Sequence, residues 1–217
     1  MLRLFLPALL ACLPLTAPVR AETVTLTPPA AKTPGAVSQF MAAQDLFALG
    51  RAQNDPLAVL AAARLSARIK ATEADRTPEP KAEALPHSHP DATTMFTAAK
   101  ALAAEDTGVT DLIARSEAEA TLLPTRTLLS STRGIEGAGS QTYTLPFFAG
   151  SLAEIGLLGD GKANLDLTVV VGEETLCLNR DPADRALCSF VLPENASVTV
   201  TITNRSETAA SYSLLTN

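Results

Sequence analysis

From about residue 127 to its end, this chain places apolar side chains on every second position. Val198, Val200 and Ile202 alternate with Ser197, Thr199, Thr201 and Thr203. Leu165, Leu167, Val169 and Val171 repeat the pattern, as do Tyr143, Leu145 and Phe147, and Tyr212 with Leu214 closes it. A period of two is the mark of a strand with one face buried. Turn residues separate the runs at Gly159-Asp160-Gly161, Val171-Gly172 and Pro193-Glu194-Asn195. Seven or eight short strands within about 90 residues predict an antiparallel β-sandwich over residues 128–217.

Composition changes near residue 125. Before it the chain is rich in Ala, Leu and charged residues, after it in Thr, Val, Ser and Gly. The fold class expected is therefore α+β and segregated, with helical hairpins in residues 36–121 preceding the sandwich. Pro28, Pro29 and Pro34 make residues 22–35 an extended lead-in. The first helix is expected over about residues 37–53, with Phe40, Ala43, Leu46, Phe47 and Leu49 along one stripe. Gly50 would admit a close neighbour. Asp55 caps the second helix and Pro56 suits its first turn. Leu57, Leu60, Ala61, Leu65 and Ile69 form its face. Residues 72–90 carry Pro78, Pro80, Pro86 and Pro90 among many charges, and read as a mobile linker. Asp91 caps a third helix that buries Met95, Ala99 and Leu102. A fourth follows Gly108, with Val109, Leu112 and Ile113 facing in.

The first 21 residues read as a secretory signal. Arg3 precedes an apolar run over residues 4–15, and Val19-Arg20-Ala21 offers a cleavage site, so Glu22 is the expected mature start. The rival reading is a lipoprotein box at Leu9-Leu10-Ala11-Cys12, with Cys12 lipidated. No later stretch approaches the ~20 apolar residues of a membrane span. Loss of Arg3 and Arg20 leaves 15 basic against 23 acidic residues, a net charge near −8. That sign argues against nucleic acid and anionic membrane surfaces as partners. The absence of Trp, with two Tyr and seven Phe, argues against stacking platforms for sugars or bases.

Cys177 and Cys188 remain after the signal. In an oxidising compartment such a pair is expected to form a disulfide, which stabilises a loop of this size by roughly 3 kcal/mol. A redox-active pair is the alternative, though such pairs usually have Cys-x-x-Cys spacing.

The C-terminal part also carries a family resemblance. Thr142-Tyr143-Thr144-Leu145 leads into Phe148-Ala149-Gly150. Gly159-Asp160-Gly161 and Asn164-Leu165-Asp166-Leu167-Thr168-Val169 follow, then the cysteines, Val198-Thr199-Val200, Asn204 and Tyr212-Ser213-Leu214. This resembles the bacterial pre-peptidase C-terminal domain family, over about 80 residues of the 217. The resemblance implies a jelly-roll-like sandwich, often attached to secreted peptidases, some relatives binding calcium or matrix polymers. Here no peptidase precedes it. The helical part, with Leu46-Phe47-Ala48-Leu49-Gly50-Arg51-Ala52, resembles uncharacterised bacterial envelope proteins.

Asp160, Asn164 and Asp166 are the candidate metal ligands, their oxygens clustered about a glycine turn as calcium requires. Asp181 and Asp184 could add to them from the cysteine loop. Asp and Asn are also ordinary turn residues, and Asp166 should face away from Leu165 and Leu167. His87 and His89 could chelate a metal, or stand solvated in the linker. These are the only histidines in the chain, so a Ser-His-Asp or Cys-His arrangement lacks its base. Gly134, Gly137 and Gly139 read as a flexible approach to a strand, not a phosphate loop. Glu173 and Glu174 read as a solvated pair beside a turn. Asn195 and Asn204 open glycosylation acceptor patterns.

The expected function is that of a non-catalytic periplasmic or secreted protein whose sandwich binds or stabilises. The alternative is an accessory to secretion or to a secreted enzyme, holding a protein partner through its helical hairpins. The partner would be an envelope or extracellular protein or polymer. No cofactor is expected beyond the calcium already named.

Overall fold

The computed structural model describes residues 34–86 and 89–217. The signal, the cleavage site and Cys12 lie outside the described residues, as does His87. Four helices come first: α1 (Ala36–Gln53), α2 (Pro56–Ser66), α3 (Ala92–Leu102) and α4 (Thr107–Ala120). Between α2 and α3 lies strand β1 (Ile69–Glu73). Eight strands complete the described chain: β2 (Arg126–Ile135), β3 (Ser140–Phe147), β4 (Leu152–Gly159), β5 (Leu165–Val171), β6 (Glu174–Asn179), β7 (Arg185–Val191), β8 (Ala196–Asn204) and β9 (Ala210–Thr216).

The strands form two sheets, β1-β2-β9-β4-β7 and β3-β8-β5-β6. From β2 onward the pairing is antiparallel and nested: β2 with β9, β3 with β8, β4 with β7, β5 with β6. That is the pairing of a jelly roll. Val198, Val200 and Ile202 are fully buried between the sheets, beside Tyr143, Leu145, Leu165 and Leu167 of their own sheet and in one core with Leu214 of the other. The expected two-residue period therefore describes the inner face.

The helices turn as their caps direct. Asp55 accepts from the Leu57 and Ala58 amides at 2.8 and 3.1 Å, and Asp91 from the Thr94 amide at 2.8 Å. A Cβ on Gly50 would lie 2.8 Å from Val59 Cγ2, so the glycine does permit the close α1–α2 approach. Val59, Leu60, Met95, Phe96, Ala99 and Ile113 make a separate helical core. The opposite side of α1 lies across the outer face of the first sheet. There Val37, Phe40 and Met41 cover Leu128, Leu158 and Leu215.

Several expectations need correction. Ile69 does not extend α2; it opens β1, which pairs in parallel with β2. Leu112 is 39 % exposed, because α4 buries only Ile113 and Ser116. Gly134 belongs to β2, and the turn to β3 begins beyond it. The linker of residues 72–90 is bonded to the sandwich at several points: Glu79 pairs with Thr142 and Ala84 with Arg133. Residues Pro34–Asn217 form one compact unit.

Candidate functional site: a cleft at the end of the sandwich

An open sandwich edge leaves strand amides and inner-face side chains uncovered. Here the edge between β2 and β3 is crossed by a strap, residues 74–85. The Ala74 amide donates to Ser130 O at 2.8 Å. Glu79 exchanges two 2.8 Å bonds with Thr142 on the other sheet, and the Leu85 amide returns to Thr132 O at 3.0 Å. The strap therefore ties the two sheets together.

Two arginines sit under it. Arg133 is on the inner face of β2, opposite Tyr212, and only 3 % exposed. It donates to Thr132 O at 2.8 Å and to Arg76 O at 2.5 Å. Its nearest carboxylate, Asp75, is 3.5 Å away and 96 % exposed, so the pair is weak. Arg76 turns inward from the strap and donates to Thr216 Oγ1 at 2.6 Å. Its Nη1 is buried with no hydrogen-bond partner, and among the described residues Arg76 forms no ion pair. Burial pulls this guanidinium below its ordinary value, while Tyr143 pulls the other way. It stays charged at any physiological pH.

Deeper in, the Tyr143 and Tyr212 hydroxyls meet at 2.7 Å, and Tyr212 reaches Gln141 Oε1 at 2.5 Å. Gln141 in turn donates to Gly134 O at 2.7 Å. Burial pushes both phenols up, and for Tyr143 the Tyr212 bond and the two arginines oppose it. This network is sealed in the core and serves to satisfy buried polar groups.

Arg76 forms one wall of a cleft of about 590 Å³, at the end of the sandwich where β3 runs out and β4 begins. Leu129, Leu145, Phe147, Phe148 and Leu152 supply its large apolar side chains. Phe148 is 78 % exposed at the rim, and Phe147 packs edge-on against Phe190 with ring centres 5.3 Å apart. The volume is in the ~300–1,000 Å³ range of small-ligand sites. The chemistry of the site is a mainly apolar surface with one positive charge that the fold leaves unpaired.

The candidate metal ligands are each bonded to other parts of the protein. Asp160 accepts from the Ser211 amide and hydroxyl at 3.0 Å each and from the Lys162 amide at 3.2 Å. Asp166 is held by Arg205 Nε at 2.7 Å, on the outer face as expected. Asn164 lends its amide to Ser206 Oγ at 3.0 Å, while its Oδ1 is buried without a partner. Asp184 caps the Gly161 amide at 2.8 Å, and Asp181 bonds Asn179. Among the described residues no three His, Cys, Asp or Glu groups converge. His89 stands edge-on to Phe40, with centroids 6.5 Å apart. Asn204 is 1 % exposed and donates to Glu136 O and Thr208 O, so it is no acceptor for a glycan.

Cys177 and Cys188 are close in sequence but do not pair across one hairpin. They lie instead on edge strands of different sheets, Cys177 opposite Val169 and Cys188 opposite Ile155. The physical reason is the jelly-roll crossover, which carries β6 and β7 to opposite layers. Both are thiols in this structure. They are in hydrogen-bonding contact, and burial together with that contact pushes the Cys188 thiol up.

Sequence reasoning missed Arg76 and Arg133. For Arg133 a signal existed, because it shares the inner register of Leu129, Ser131 and Ile135. Arg76 carried none, since its role depends on where a proline-rich segment comes to rest.

No family model matches the chain, and no curated protein matches it. Several solved structures resemble part of it. One is the pre-peptidase C-terminal domain of a collagenase from Bacillus anthracis, at 9% identity and a TM-score of 0.35 over 40% of this chain and 86% of that one. Another is PliG of Aeromonas hydrophila, a periplasmic inhibitor of g-type lysozyme, at 17% identity and TM-score 0.33, covering 42% and 84%. A third is the Yersinia pseudotuberculosis-derived mitogen, at 16% identity and TM-score 0.30, with the same coverage.

Proposed function

We propose that this is an exported, non-catalytic binding protein of the periplasm or exterior, whose jelly roll holds its ligand in the end cleft. The observation that carries this reading is the half-buried Arg76, charged and unpaired on an apolar wall. A charge removed from water without a partner is costly, and a binding site is a common reason to keep one. The export signal read in the sequence supports the compartment. A second reading has an observation of its own. Leu49 and Leu57, at the α1–α2 turn, are 51 % and 49 % exposed, and suit a protein partner held by the helices.

The experiment combines cell fractionation with capture. Mass spectrometry of the fractionated protein should find Glu22 as its N-terminus; a lipidated Cys12, or an unprocessed chain, would overturn simple export. The mature chain, with Phe148→Asp and Leu49→Asp/Leu57→Asp variants, is then used on envelope extract, with and without calcium. Capture lost only with Phe148→Asp supports the cleft. Capture lost only with the leucine variant supports the helical reading.

A further inference from the structure

We infer that the cleft takes a single apolar chain ending in a carboxylate, a ligand of the fatty-acid class, with Arg76 as the counter-ion of its head group. The inference rests on the binding reading above and names its ligand.

Charge sets the first constraint. Arg76 lines the cleft as a cation, with its Nη1 now buried and lacking an acceptor, and so selects an anion and repels an ammonium head. Arg76 is tethered through one side-chain bond, to Thr216, so its guanidinium can turn to meet an acceptor. A planar carboxylate matches the guanidinium fork.

The other walls set the second constraint. Leu129, Leu145, Phe147, Phe148 and Leu152 offer carbon and little else. A peptide would bring an N–H and a C=O with every residue, and each needs a partner when buried. The polar side chains of the cleft are largely taken. Thr216 accepts from Arg76, and Asn217 is bonded to the Glu154 amide and Leu152 O. A sugar would leave its hydroxyls unmatched for the same reason. An alkyl chain asks nothing of these walls but contact, and each CH₂ it buries adds to the affinity.

The test uses the mature chain with decanoate, decanol and decylammonium, each below its micelle concentration, followed by titration calorimetry. Decanoate should bind at least tenfold more tightly than decanol, and decylammonium should not bind. Arg76→Gln should weaken decanoate about ten- to a hundredfold and leave decanol unchanged, as for loss of one charge-assisted bond. Arg76→Lys should restore part of the difference. Phe148→Ala, at an exposed rim position, should weaken both ligands. Equal binding of decanoate and decanol to the wild type overturns the role of Arg76 and needs no variant to fold. If none of the three binds while capture from extract still depends on Phe148, the ligand class is wrong and the binding reading stands. If both fail, that reading falls too.

Discussion

The Glu154 carboxylate, on β4, holds Gly35, 119 residues earlier, and with it the start of α1. Its oxygens accept from the Gly35 and Val37 amides at 3.0 Å each, from the Ser38 amide at 3.1 Å and from the Ser38 hydroxyl at 2.8 Å. A helix start leaves amides without partners and carries a partial positive charge, and one buried carboxylate answers both. Glu154→Ala should lower stability by about 2–4 kcal/mol, with Glu154→Gln costing less. Gly35→Ala should be as damaging, since its Cβ would lie 1.9 Å from Glu154 Oε2. Urea melts of the mature chain check this; an unchanged midpoint in Glu154→Ala would show the cap idle.

Gly156 lies where α1 crosses the first sheet. A Cβ there would come within 2.5 Å of Val37 Cγ1 and 2.8 Å of Met41 Sδ. Gly156→Ala should push the helix off and cost about 1–3 kcal/mol. The same face bears on truncation. A chain starting near Leu128 would uncover Leu158 and Leu215 and lose the strap. The expected fragment keeps β-type circular dichroism but melts at lower denaturant than the mature chain. No cooperative melt at all would show that the sandwich cannot stand alone.

The cysteine pair is predicted to oxidise after export. The bond would join β6 to β7 and so tie the two sheets at the edge opposite the strap. Replacing both cysteines by serine should lower stability by roughly 2–4 kcal/mol and leave ligand binding in place. Thiol counting on exported wild type, beside denaturant melts of both proteins, decides it. Two free thiols, or equal midpoints, go against it.

Asp160 makes stability pH-dependent. Burial pushes its carboxyl up, but bonds from Ser211 and Lys162 outweigh burial and leave it below 3.8. A lowered folded pKa means the stabilisation is present above the unfolded value and lost as pH falls through the folded one. The Asp160→Asn variant should therefore lose less stability than wild type as pH drops below about 4. Parallel acid titrations of the two would reveal it, and superimposable curves would remove Asp160 from the account.

The inner face of the sandwich was readable because strand periodicity is local. Val198, Val200 and Ile202 announce their burial through their own neighbours. The caps at Asp55 and Asp91 were readable for the same reason, a side chain reaching two or three residues ahead. Ile69 was misread because an apolar residue at helical spacing after Leu65 looks the same whether the helix continues or a strand begins. Aspartates near a glycine turn suit a cation, and they suit Ser211, Lys162 or Arg205 equally well, so no local pattern separates the two roles.

The sequence by itself determined the strand faces, the starts of α2 and α3, and the antiparallel hairpin of α1 and α2. All of these rest on contacts between near neighbours. Only the tertiary structure decided that α1 lies across the first sheet, that Glu154 caps it, that the cysteines sit on different layers, and that Arg76 enters the cleft. Each of those joins residues far apart in the chain. Their meeting depends on the nested order of the strands, which no local pattern encodes.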